Sequence, residues 1–67
     1  MNRIPRKFDR MIIEAMLDGM AGKKGDRYEV TKDERGYHGK NLTTGKMWSM
    51  FPGHIRNENL YRIVEVI

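Results

Sequence analysis

A chain of 67 residues with no cysteine has no staple to lean on. At this size a single apolar core is near the lower limit of what holds by itself, and neither a disulfide framework nor a thiolate metal cage is available. The two histidines, His38 and His54, sit on different expected elements with no ligand-spaced companions, so no metal site is expected. The large apolar side chains are therefore needed inside, and function has to be carried by what remains on the surface.

Residues 5–20 read as an amphipathic helix. Phe8, Met11, Ile12, Ala15, Met16 and Met20 fall at i, i+3, i+4 spacing, and Ile13 and Leu17 widen the face. Pro5 suits a first helical turn, and Gly19 and Gly22 supply the stop. The opposite face holds Lys7, Arg10, Glu14 and Asp18, with Arg10 and Glu14 placed for an i, i+4 ion pair. From Asp26 the period becomes two. Strands are expected over 27–32, 37–42, 46–51 and 60–67, with turns at 33–36 and 43–45 and a break at Pro52-Gly53. Gly39 inside a strand marks a bulge or a close backbone approach, and the two-sided apolar run 60–67 suggests a strand covered on both faces. The expected fold is α+β: an N-terminal amphipathic helix packed on a four-stranded antiparallel sheet. It forms a single domain over 1–67, with a basic helix and linker over 1–24 and a small β-sheet or barrel over 25–67.

The rhythm of short strands over 26–67, with a one-turn element before the last, resembles small Src-homology-3-like (SH3-like) barrels. That resemblance implies a sheet curled toward a small SH3-like barrel. The proline-recognition residues of that class are not present as a set, so it implies no ligand.

Catalysis is not expected. Ser49, the only serine, lies within a strand and lacks the Gly-x-Ser-x-Gly context of an exposed nucleophile. The acidic pair Asp33-Glu34 sits in a solvated turn, and a domain of this size offers little room to enclose a substrate. Gly22-Lys23-Lys24-Gly25 follows the helix and precedes a strand, the reverse of a phosphate-binding loop. No cofactor and no small-molecule substrate are expected. Acidic residues interrupt the apolar N-terminal stretch and no run is long enough to span a bilayer, so a soluble, cytoplasmic protein without a membrane partner is expected.

The charge is more informative. The chain carries a formal +4, unevenly placed: six basic against three acidic residues over 1–24, and seven against six over 25–67. Such asymmetry points to nucleic acid or an acidic protein surface. Arg3, Arg6, Lys7 and Arg10 crowd the start of the expected helix, where the macrodipole is already positive, an arrangement suited to binding phosphates. Lys23 and Lys24 in the linker, and Lys40, Lys46, Arg56 and Arg62 on or near the strands, complete the expected nucleic-acid contacts. Trp48, Tyr28, Tyr37, Phe51 and Tyr61 lie interleaved with these cations, as in small barrels that stack unpaired bases.

The alternative is a protein–protein module. Met47, Trp48, Met50 and Phe51 make the hairpin strand apolar on both faces, and something beyond the helix has to cover the second face. Barrel closure, a second copy in a homodimer, or a larger intracellular protein that the module modulates or inhibits would each do so. In size and style the chain resembles bacteriophage accessory proteins, which implies seizure of a host protein.

Overall fold

The computed structural model describes residues 2–19 and 22–67. Five strands and one short helix follow in the order β1 (Met11–Ala15), β2 (Arg27–Asp33), β3 (Gly36–Asn41), β4 (Met47–Met50), α1 (Pro52–Arg56) and β5 (Tyr61–Val66). They form one antiparallel sheet ordered β4-β3-β2-β1-β5, so β1 lies inside the sheet, and β4 and β5 end it.

The expected N-terminal helix is absent, and with it the expected α+β fold on a four-stranded SH3-like sheet. The structure is a small β-rich fold of five strands whose only helix among the described residues is α1. Met11, Ile13 and Ala15 are buried while Ile12 and Glu14 between them are half-exposed, the period of a strand. The same five residues also fit helical spacing. The strand is favoured because β1 finds hydrogen-bonding partners on both sides, β2 along one edge and β5 along the other. Gly19, with φ of 109°, exchanges hydrogen bonds with Gly22 rather than capping a helix. Met20, the end of the expected helix, lies outside the described residues.

The core sits on one face of the sheet. Met11, Ile13 and Ala15 of β1 join Tyr28 and Val30 of β2, Tyr61 of β5 and Ile55 of α1, all buried. Tyr28 and Tyr61 meet edge to face at 5.8 Å. The cover over this face is α1, which begins at Pro52 in a first-turn position, together with the irregular segment before β1. That segment is tied down at one end by Asn2, whose Nδ2 donates to the Ile55 and Tyr61 carbonyls at 2.9 and 2.7 Å. Further along, Ile4 and Phe8 pack against the core. Gly39 marks neither the bulge nor the close backbone approach expected of it: the β2–β3–β4 register runs through it unbroken, and it makes room for a side chain, because a Cβ there would overlap the Met50 sulfur.

The other face of the sheet is polar and internally paired. Glu14 stands in register between Arg27 and Arg62 and accepts from Arg27 Nε at 3.3 Å and Arg62 Nη2 at 3.2 Å. Arg10 pairs with Glu29 at 3.6 Å, so the expected Arg10–Glu14 helical pair is replaced by cross-strand partners. β5 is also not covered on both faces as expected. It ends the sheet, its register slips opposite Ile12 and Ile13, and Val64, Val66 and Ile67 are exposed.

Among the described residues, one polar residue is fully buried. Asn41, at the end of β3, accepts the Thr43 and Thr44 N–H groups on Oδ1 at 2.8 and 3.1 Å and donates from Nδ2 to Asp26 at 3.1 Å. Its side chain also hydrogen-bonds Tyr28. Gly22 lies so close over this cluster that a Cβ would come within 2.5–2.8 Å of Tyr28, Asp26 and Asn41. The cluster thus clasps the β1–β2 and β3–β4 connections together.

Candidate nucleic-acid interface

Pro5 and the charged run after it give residues 6–9 no regular hydrogen-bonding pattern, and the backbone just beyond fixes where they lie. The Asp9 and Arg10 N–H groups donate to the Ile67 carbonyl at 2.8 and 3.3 Å, and the Ile67 N–H returns a bond to the Arg10 carbonyl at 2.9 Å. Arg6 and Lys7 are thereby held beside the end of β5. Phe8, half-buried, lies nearly parallel to Tyr37 of β3, with ring centroids 6.4 Å apart and planes 9° from parallel. Lys32 of β2 holds its Nζ 5.2 Å from the centroid of the Tyr37 ring, a cation–π contact. Arg6, Lys7, Phe8, Asp9, Lys32 and Ile67 line an open groove of about 500 Å³.

Of the ten cations expected to contact nucleic acid, this groove gathers Arg6 and Lys7. Neither has a carboxylate partner among the described residues, and the same is true of Lys32. Their placement on an irregular segment removes the helix dipole from the argument, because no helix begins there. Arg10 and Arg62 are engaged with Glu29 and Glu14 on the sheet's polar face. Lys40, on that face, stands in register between Glu29 and Met47. Lys23 and Lys24 lie in the turn before β2, where their backbone N–H groups donate to Asp26 and Asp18. Lys46 lies in the β3–β4 connection. Arg56 ends α1 and lines a separate depression with Asn57 and Glu58, and Arg3 is exposed in the N-terminal segment. The ten therefore do not form one surface.

Lys32 was missed by the sequence reading, although its position carried a signal. Tyr28 and Val30 alternate onto the buried face of β2, and Lys32 is the next residue of that series. At the end of the strand the core gives out, so a lysine can follow the apolar face and still reach solvent.

The hairpin residues expected to meet a protein partner divide by face. Trp48 and Met50 are half-buried and pack against the core. Met47 and Phe51 are 65% and 67% exposed, and Phe51 leans edge-on to His54 at 5.4 Å. The histidines lie on different elements, His38 on β3 and His54 on α1, and no group of three or more metal-ligating side chains occurs among the described residues. His38 Nε2 lies 3.0 Å from Asp33 Oδ1.

Titration is perturbed away from the groove. The Lys23 backbone N–H and the Asn41 side chain hold Asp26 below the usual aspartate value, and the His38 hydrogen bond, with the Arg35 N–H, does the same for Asp33. Burial pushes the Tyr28 and Tyr61 phenols up, so both stay neutral as core residues. These groups serve the clasp, the β2–β3 turn and the core.

No described helix is long and apolar enough to cross a membrane. Compared with protein-family models, curated proteins and solved structures, the chain gives no match, so its functional reading rests on geometry.

Proposed function

We propose that the protein is a non-catalytic, basic binding module that associates with nucleic acid through phosphate contacts. The observation that carries this reading is the convergence of Arg6, Lys7 and Lys32 on one groove, without carboxylate partners among the described residues. The contrast with the sheet's polar face supports it, since Arg10, Arg27 and Arg62 there are paired with Glu14 and Glu29. Unpaired cations around a concavity release counterions when they meet phosphates, giving binding with little sequence preference and a steep dependence on salt. Asp9 on the same groove moderates the charge and sets one boundary of the site.

The test is fluorescence anisotropy of a labelled DNA oligonucleotide at low salt. Binding is expected for the wild type and is expected to vanish in the triple variant Arg6→Glu, Lys7→Glu, Lys32→Glu. No binding by the wild type, or undiminished binding by a folded triple variant, would remove the proposal.

A second reading has its own support. β4 ends the sheet, and Met47 and Phe51 beside that edge are exposed apolar side chains, with half-exposed Leu42 in the preceding turn. This is the character of a strand that accepts a protein segment. It would show as a loss of partner affinity in Met47→Ser with Phe51→Ser, under conditions where the groove variants keep theirs.

A further inference from the structure

Resting on the nucleic-acid reading, we infer that the groove is built for an unpaired strand and takes a base against Phe8 while Arg6, Lys7 and Lys32 hold the flanking phosphates. Three observations converge. The first is composition: Phe8 lines the groove itself, among the three cations, and is backed by the near-parallel Tyr37 ring. A base has two π faces, and an aromatic ring between cations stacks one while the cations take the backbone on either side. In a duplex those faces are covered by neighbouring pairs, so a duplex meets only the cations.

The second is shape. The site is an open surface groove rather than an enclosed pocket, so an extended strand can lie along it. Duplex binding without base readout depends on cations distributed along the phosphate backbone. The third is what the rest of the surface offers. On the polar face of the sheet the arginines are already engaged: Glu14 pairs with both Arg27 and Arg62, and Glu29 with Arg10, which leaves Lys40 there without an ion pair among the described residues. Cations held by carboxylates have less to gain from phosphates than free ones. Three cations with no carboxylate partner among the described residues lie instead beside a ring. Lys32, already held over Tyr37, brings its ammonium group to the groove from the aromatic side.

The experiment compares three labelled ligands of equal length on the intact protein: oligothymidylate, the same backbone without bases, and a duplex. Oligothymidylate is expected to bind more tightly than the base-free strand by about 5- to 100-fold, the loss that follows removal of stacked bases. The duplex should resemble the base-free strand. Phe8→Leu keeps apolar bulk against the core and removes the flat ring, so it is expected to lower oligothymidylate affinity while leaving the base-free strand unaffected. Thermal melting confirms that this variant is folded. Equal affinity for all three ligands, or a duplex that binds more tightly than oligothymidylate, would overturn the single-strand inference and leave phosphate binding standing. Failure of all three to bind at low salt would overturn both.

Discussion

Asn41→Ala should cost more stability than any change to an exposed polar side chain. Asn41 is completely buried, and its amide organises three neighbours: the Thr43–Thr44 turn, the Asp26 carboxylate and the Tyr28 hydroxyl. The two threonine N–H groups lie in an exposed turn and regain water when the Asn41 oxygen is removed. Tyr28 is buried and loses a partner for its hydroxyl, and the charged Asp26 loses a donor. A stranded buried polar group, here the Tyr28 hydroxyl, costs about 1–3 kcal/mol, and the substitution should cost about that much. A chain of this length has roughly 3–10 kcal/mol in total, so the variant should be visibly destabilised, with Tm lower by about 5–25 °C. Urea titration followed by circular dichroism and Trp48 fluorescence measures this directly. Asn41→Asp keeps an acceptor for the threonines but opposes Asp26 with a second carboxylate, and it should regain stability as acid protonates one of the two. A loss below about 0.5 kcal/mol in the alanine variant would refute the clasp as a source of stability.

Other outcomes follow from the same geometry. Gly39→Ala drives a methyl group into the Met50 side chain and should cost about 1–3 kcal/mol; the cost should shrink in a Met50→Ala background, and an unchanged cost there would exclude the steric cause. Because Asp26 and Asp33 are both held below the usual aspartate value of 3.8, their contribution is complete above that pH and is lost as acid carries each through its lowered value. The urea midpoint should therefore fall below about pH 4 and fall less steeply in Asp26→Asn and Asp33→Asn; parallel pH profiles would contradict the assignment. Arg62→Ala removes one of two partners from Glu14 at an exposed site, so stability should change by less than about 1 kcal/mol.

How far the sequence disclosed this arrangement differs from element to element. β2 through β5 fall within one or two residues of the strands that alternation and turn residues mark out. Gly45, with φ of 79°, occupies the left-handed turn position, whereas Gly39 makes room for the Met50 side chain and marks neither a bulge nor a backbone approach. β1 was the failure. Met11, Ile13 and Ala15 satisfy period two, while Phe8, Met11, Ile12, Ala15 and Met16 satisfy helical spacing, and a strand of five residues is too short for periodicity to arbitrate. What decides is long-range: Glu14 falls between Arg27 and Arg62, thirteen and forty-eight residues away. That error moved the candidate site. With no helix, the clustered N-terminal cations lost their common axis; Arg10 joined the sheet's polar face and Arg6 and Lys7 turned to the groove. Lys32 and Phe8 joined them through pairing of distant segments, which local spacing does not encode.

Salt dependence distinguishes the groove from the rest of the basic surface. For three cations engaging a single strand, the logarithm of affinity should fall against the logarithm of salt with a slope of about −2, or about −0.7 per phosphate neutralised. Arg6→Ala, Lys7→Ala and Lys32→Ala should each make that slope shallower by about 0.7, while Arg10→Ala and Arg62→Ala should leave it unchanged. If the paired sheet arginines changed the slope as much as the groove cations do, or if the groove variants left it untouched, the binding site would not be the groove.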